Sequence, residues 1–367
     1  MSAAKALELG LRQTLLRVLS ALGRRRRPLP AHFDYNKARV LFIRQDRIGD
    51  VLVSTPLFGV LRRHYPAMQL DIIVGSNNVA AVEHNIIFTN RWLYTKRSVN
   101  TLQMIRRIRR ERYDFAVDLM DNPSATSTVI ILLSGATWTV GLDKANAFAY
   151  DAVVPLRSRA ETHIVDRLGE ILRVFAIDPE AEVLRVSYEP RREAREAAAR
   201  FWDTAGLVGR VVIGVNISAG SEARFWGVDR YREFIQRLSS ERREFAVLLL
   251  ARPEDHSRAD RIAAGQPNVI RAPGGDFDLF AALIARLSCL LTPDTAAVHL
   301  CAAFNVPSVV MYVQSDKSLR IWDPYRTPSE SVVSDGRDLS PVRIADVLAA
   351  YERLERSVPM QPRGSGS

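Results

Sequence analysis

Arg39-Val-Leu-Phe-Ile-Arg-Gln-Asp-Arg-Ile-Gly-Asp50-Val-Leu-Val-Ser-Thr-Pro56 is the stretch whose reading decides the fold. Its apolar run Val40-Leu41-Phe42-Ile43 is short, partly β-branched and bounded by charge, as expected of a strand covered on both faces. A polar turn follows, then an apolar helical pattern (Val51, Leu52, Leu57, Val60, Leu61) that starts at the carboxylate of Asp50. Gly49 lets the chain turn tightly at the strand's carboxyl end, the edge of an open α/β sheet at which ligands bind. Pro56 removes a backbone donor inside the helical pattern, so the first turns should be kinked or loosened.

Outward from this stretch the same alternation continues. Leu70–Val74 reads as a strand, followed by Gly75 and a helix to about Asn85. A helix over 98–112 turns Ile105 and Ile108 inward and fans Arg106, Arg107, Arg109, Arg110 and Arg112 outward. That basic face is either solvated or a dock for an anionic acceptor. Phe115–Leu119 is a further strand, with Asp118 and Asp121 at or just past its end; Thr139–Gly141 and a long helix at about 161–176 follow. The spacing is that of right-handed crossovers and implies a doubly wound, mostly parallel α/β sheet.

Pro179, Pro190 and a run of charges over 178–192 mark a linker. The alternation then restarts, with helices near 191–205, 229–240, 254–265, 278–287 and 295–304 and strands near 211–215, 245–250, 290–291 and 308–311. The chain thus divides into an arm (1–34), two α/β halves of similar design (35–190 and 191–340), a helix over 341–356, and a tail (357–367) read as a disordered end or an expression scar.

A chain of 367 residues exceeds the size at which one core keeps growing, in keeping with two domains. The formal charge of +10 is unevenly placed: residues 1–34 hold seven basic groups against Glu8 and Asp34, a net of +5, so the body carries only the other half. No folded basic face interleaved with aromatics is apparent, which argues against nucleic acid as a partner. The two cysteines, Cys289 and Cys301, sit in apolar surroundings and read as buried hydrophobes in a reducing cytosol.

In the arm, Leu7, Leu11, Leu15, Val18 and Leu22 recur at steps of three and four ahead of Gly23 and the run Arg24–Arg27. This segment is too short and too charged to span a bilayer, and no small-residue cleavage site marks it as a signal peptide. It reads either as an interfacial helix on an anionic cytoplasmic leaflet or as a helix packed on the body or a partner subunit.

In the second half, Asn216-Ile-Ser-Ala-Gly-Ser-Glu-Ala-Arg-Phe-Trp226 follows a strand with small residues that give backbone N–H groups room to approach an anion. Ser218 and Ser221 offer hydroxyls beside Gly220, and Arg224 offers a permanently charged fork suited to phosphate oxygens. In Leu291-Thr-Pro-Asp-Thr-Ala-Ala-Val-His299, Asp294 or Thr295 can cap a helix whose free N–H groups favour phosphate. His299 lies four residues after Thr295, on the same face. No Ser/His/Asp triad, metal-ligand cluster or Walker loop is visible, and the absence of Gly-x-Gly-x-x-Gly after the first strand counts against a nicotinamide dehydrogenase.

Two anchors, Arg44-x-Asp46-x-Ile48-Gly49-Asp50-x-x-x-x-x-Pro56 and Pro293-Asp294-Thr295-x-x-x-His299-x-x-Ala302-Ala303-x-x-Val306-Pro307, resemble the bacterial heptosyltransferases of glycosyltransferase family nine. Ala223-Arg224-Phe225-Trp226 is similar to that family's Lys-x-Trp element, with Arg in place of Lys, and the likeness covers about 38–355. The resemblance implies a GT-B fold, two Rossmann-like halves facing a cleft, with the C-terminal helix packing back on the first half. It implies an inverting, metal-independent transfer, with no cofactor, of a sugar from a nucleotide diphosphate, typically ADP-heptose. The acceptor would be a lipopolysaccharide core or a related lipid-linked glycan, at the inner face of the cytoplasmic membrane.

By position, Asp50 would be the general base, with Arg44 and Gly49 on the acceptor side. Ser218, Gly220, Ser221 and Arg224 would hold the diphosphate, Asp294, Thr295, Ala296 and His299 would line the donor site, and Glu254 or Asp255 would bind the ribose. Ala296 stands where the family has Gly, Ala251-Arg252-Pro253 where it has Gly-Gly before an acid, and Val313-Gln314-Ser315 where it has Gly-Pro-Thr. These changes leave the base and the sugar of the donor open. The rival readings are a nucleotide-sugar epimerase on the same fold and a binding protein that has lost transfer.

Overall fold

The computed structural model describes Thr14, Arg17, Ser20 and residues 26–363, apart from 96, 242, 243 and 318. The helix expected from Leu7, Leu11, Leu15, Val18 and Leu22 lies outside the described residues, as do Gly364–Ser367. The chain divides into two compact units between Leu184 and Arg185, within the stretch read as a linker.

In the first unit, β1 (Arg39–Ile43), β2 (Gln69–Gly75), β3 (Arg91–Tyr94), β4 (Phe115–Asp118), β5 (Trp138–Leu142) and β6 (Ala152–Val154) form one parallel sheet in the order β3-β2-β1-β4-β5-β6. In the second, β7 (Val212–Asn216), β8 (Ala246–Leu250), β9 (Val269–Arg271), β10 (Cys289–Pro293), β11 (Ser308–Val313) and β12 (Ser329–Ser334) repeat the plan in the order β12-β11-β10-β7-β8-β9. Strand order reverses beside β1 in one sheet and beside β7 in the other. Such a switch point opens a crevice at the carboxyl ends of the strands, because the following connections leave to opposite faces. The segments that follow β1 and β7 are the two singled out above.

Val40 through Ile43 are fully buried, as a central strand covered by helices on both faces requires. The expected single kinked helix after β1 is two helices, Ile48–Leu52 and Thr55–His64. Pro56 falls in the first turn of the second, where an N–H has no intrahelical partner, so it starts a helix instead of bending one. The helix expected after Gly75 is only a 3-10 turn, Val79–Ala81. Buried Asn78 accepts from Gly75 N at 2.8 Å and donates to the Arg44 carbonyl at 2.9 Å, holding the backbone in a turn instead. The helix expected over 161–176 is α-helical over Ile164–Gly169 and tightens to 3-10 over Glu170–Phe175.

The C-terminal helix, Ile344–Ser357, packs within the second unit. Val347, Ala350, Tyr351 and Leu354 recur at steps of three and four and are buried in the second unit's core with Tyr231, Phe234 and Leu339. Among the described residues beyond this helix, Met360 packs on that core, Ser288 Oγ donates to the Gln361 carbonyl at 2.7 Å, and Arg363 Nη1 donates to the Phe304 carbonyl at 3.0 Å. Arg363 thus places a cation at the carboxyl end of the helix Ala296–Phe304, where the helix dipole favours it. Cys289 and Cys301 are free and buried. No helix of the described residues is long and apolar enough to cross a membrane.

Candidate functional site

Arg44 is the first residue past β1 and is completely buried. Its Nε donates to the main-chain carbonyl of Asp50 at 2.8 Å, and its Nη1 donates to the carbonyl of Leu119, just past β4, at 2.6 Å. Nη1 lies 3.3 Å from Asp46 Oδ2, and Nη2 lies 3.6 Å from Asp50 Oδ1. A buried guanidinium survives only where anions and carbonyls surround it. Burial pulls the Arg44 pKa down, but Asp46, Asp50, Asp121 and Asp118 more than offset it and raise the group above its usual range.

Asp50 is not the start of its helix, as the sequence suggested, but its third residue. There Oδ2 accepts from Arg47 N at 3.2 Å, satisfying a donor that a helix start leaves unpaired. Ser54 Oγ donates to the Asp50 carbonyl at 2.8 Å. Backbone and side chain are therefore both fixed, while 15% of the side chain stays exposed. Gly49 lies within the helix and is not among the positive-φ glycines, so the turn does not use its conformational freedom.

Around Arg44, two other carboxylates have cations of their own. Asp118 accepts from Tyr150 OH at 2.6 Å and Ser127 Oγ at 2.9 Å and lies 3.3 Å from Lys144 Nζ. Asp121 lies 3.7 Å from Arg167 Nη1. Lys144 is held below its usual range, by burial first, with Asp118 opposing. The sequence reading missed Lys144 and Arg167, since a single basic residue past a strand or inside a helix carries no signal until its burial is known.

In the second unit, Arg224 closes the 3-10 turn Glu222–Arg224 and meets Asp294 twice. Its Nη1 donates to the Asp294 carbonyl at 3.0 Å, and its Nη2 lies 2.9 Å from Oδ2. Thr295, not Asp294, caps the helix Ala296–Phe304, its Oγ1 accepting from Ala297 N at 3.3 Å. Ala296 is the first helical residue and only partly buried. Arg224 therefore stands beside a helix start, an arrangement that favours a phosphate. Asn216, at the end of β7, donates to Thr292 Oγ1 at 3.0 Å and ties the carboxyl ends of β7 and β10 together. His299 is buried one turn in, its ring 6.3 Å from that of Trp322. Trp226 is fully buried and donates to the Val342 carbonyl at 3.0 Å, a packing role.

Two of the expected site residues are engaged with each other. The Ser218 hydroxyl donates to Asp255 Oδ2 at 2.9 Å and accepts from Arg252 N at 2.9 Å. Asp255 is 4% exposed and also meets Arg252 Nε at 2.8 Å and Arg258 Nη1 at 3.2 Å, so its carboxylate is spent on holding the loop. Glu254, by contrast, keeps 73% of its side chain exposed. Gly220 and Ser221 are exposed at the loop tip. Among the described residues, no cluster of three or more His, Cys, Asp or Glu side chains is placed to hold a metal ion.

Comparison with known proteins agrees with this architecture. Residues 101–346 match the family model described as glycosyltransferase family 9 (heptosyltransferase). The chain is 24% identical over 338 residues to lipopolysaccharide heptosyltransferase 3 of Escherichia coli, covering 83% of this chain and 96% of that one. Among solved structures, a family 9 glycosyl transferase from Veillonella parvula superimposes with a TM-score of 0.74 at 19% identity, over 89% of this chain and 99% of that one. The Escherichia coli heptosyltransferase WaaC, solved with ADP, gives 0.69 at 17% identity, over 86% and 99%. With the family model spanning well over half its length and the two doubly wound units of a GT-B fold, this chain belongs to glycosyltransferase family 9.

Proposed function

We propose that this chain transfers a heptose from ADP-heptose, with inversion and without a metal, to a lipopolysaccharide core or a related lipid-linked glycan. The observation that carries the reading is Asp50, a partly exposed carboxylate whose backbone and side chain are both fixed, at the switch point of the first sheet. The names of the relatives support the donor and acceptor class.

In this reading Asp50 accepts the proton of an acceptor hydroxyl as that oxygen attacks the anomeric carbon of the donor. The bond from that carbon to the diphosphate oxygen breaks, and its electron pair leaves with the nucleoside diphosphate. Attack opposite the leaving group inverts the anomeric centre. Arg224 and the helix start at Thr295 take up the charge that develops on the diphosphate, and Gly220 and Ser221 supply main-chain donors beside it. Asp294 keeps the Arg224 guanidinium at the helix start. Ala296 and His299 line the nucleotide-sugar pocket, and Glu254 is the carboxylate left for the ribose. Arg44 and Gly49 shape the acceptor side.

The acceptor's lipid end places the enzyme at the inner face of the cytoplasmic membrane. The run Arg24–Arg27 supports this, as does the outward face of the helix Ser98–Glu111, where Arg106, Arg107, Arg109 and Arg110 are exposed beside Val99 and Leu102.

The test is transfer from ADP-heptose to a heptose-deficient core acceptor, read by product mass, beside a calorimetric panel of ADP, UDP and GDP. ADP should bind tightest, and Asp50→Asn should bind ADP normally but lose at least about a hundredfold in turnover. Preference for UDP or GDP would refute the donor, and conversion of donor without acceptor would favour an epimerase. Vesicles containing anionic lipid should retain the full chain at low salt; no retention would remove the membrane role.

A further inference from the structure

Two carboxylates, Asp46 and Asp50, flank one buried guanidinium. Asp46 Oδ2 is 3.3 Å from Arg44 Nη1 and Asp50 Oδ1 is 3.6 Å from Arg44 Nη2. The stronger hydrogen bonds of Arg44 go elsewhere, to the carbonyls of Asp50 and Leu119. Asp46 Oδ1 and Arg44 Nη2 are both buried without a hydrogen-bond partner. The neighbouring charges give no relief: Lys144 is engaged by Asp118 and Arg167 faces Asp121. Arg47, one residue on, is exposed. Two carboxylates, 19% and 15% exposed, thus share one fully buried cation, a situation in which one of a pair tends to keep its proton.

We propose that Asp46 is a positioning residue for the transfer: it competes with Asp50 for the Arg44 guanidinium and thereby sets how strongly Asp50 draws the acceptor proton. The proposal rests on the reading of Asp50 as the base. With Asp46 protonated, Arg44 serves Asp50 alone and holds it as a contented carboxylate, a weak base. With Asp46 ionised, the cation is shared and a second negative charge stands beside Asp50, so Asp50 takes a proton more readily. The groups that face Asp46 act in both senses. Burial raises its pKa most, Arg44 opposes, Asp50 and Asp121 raise it further, and the carboxyl is pushed up to about 7. The exchange therefore falls near neutral pH.

The test compares wild type and Asp46→Asn in single-turnover transfer from saturating ADP-heptose between pH 6 and 8.5. Because the amide imitates the protonated acid, the variant should stay at the acidic plateau of the wild type with unchanged donor KM. Wild-type turnover should rise about three- to tenfold across the same range, as Brønsted behaviour predicts for a base strengthened by a nearby charge. A variant that keeps the rise, or that matches wild type at pH 8, overturns the proposal. Infrared difference spectra supply a readout independent of turnover: a protonated carboxyl band should fade as pH rises through about 7 and be missing from Asp46→Asn. No such band in wild type overturns the proposal, whether or not the variant folds. Failure of wild type to transfer sugar would count against the proposed function instead, and the infrared band would still decide the state of Asp46.

Discussion

Arg44 donates to the main-chain carbonyl of Asp50 at 2.8 Å while its Nη2 stands 3.6 Å from the carboxylate of the same residue. One buried cation thus sets both where the carboxylate sits and which way it faces, and it does so from the end of the central strand. Replacing Arg44 by Met would leave two carboxylates and the Leu119 carbonyl without their cation, a loss of about 3–5 kcal/mol. Arg44→Lys keeps the charge but cannot span the Asp50 and Leu119 carbonyls. It should fold, with turnover down by at least about tenfold; thermal melts and transfer assays on the two variants check both statements.

Arg224 should divide binding from stability in the opposite way. Its pair with Asp294 is about one quarter exposed on each side, so losing it costs at most about 1 kcal/mol of folding energy. A charge-assisted bond to phosphate is worth about 1.5–3 kcal/mol, so Arg224→Ala should weaken ADP about ten- to hundredfold in calorimetry at nearly unchanged Tm.

Asp255 should behave as a structural group. Asp255→Ala strips Ser218, Arg252 and Arg258 of their shared acceptor. A loss of about 2–4 kcal/mol is expected, with ADP affinity of the folded protein changed less than about threefold. A collapse of affinity at unchanged Tm would return Asp255 to the ribose.

Asp46 should leave a mark on stability as well as on rate. Its folded pKa, about 7, lies above the ordinary carboxylate value of 3.8, so the folded state binds the extra proton between those limits. The contribution of Asp46 to stability is therefore greatest at low pH and declines as pH rises toward and through about 7, the reverse of an ordinary paired carboxylate. Asp46→Asn lacks this decline, so its stability relative to wild type should improve by at least about 1 kcal/mol between pH 5 and pH 8 in denaturant titrations.

The central strands were legible because burial on both faces forces an unbroken apolar run, as in Val40–Ile43 and Ala246–Leu250. The outer strands were not. Ser329–Ser334 is only partly buried along most of its length and reads as polar loop until its pairing with Ser308–Val313 is known. The placement of Asp50 and Arg224 was readable too, because each lies in the segment that follows a central strand. The engagement of Ser218 by Asp255 was not, since it joins two loops whose residues stand 37 apart in the chain. The stripe of the C-terminal helix was legible as a buried face, but the sequence could not say that Tyr231, Phe234 and Leu339 would meet it.

The helix that presents Asp50 spans only Ile48–Leu52 and ends before Pro56 can extend it. A segment of this length has almost no helical stability of its own, so its shape is borrowed from Arg44, Ser54 and the strand beneath. It should open as a small cooperative unit well before the sheet does. Amide hydrogens of Val51 and Val53 should then exchange faster than those of Phe42 and Ile43, and rising urea should silence the enzyme while its tryptophan fluorescence still reports a folded protein.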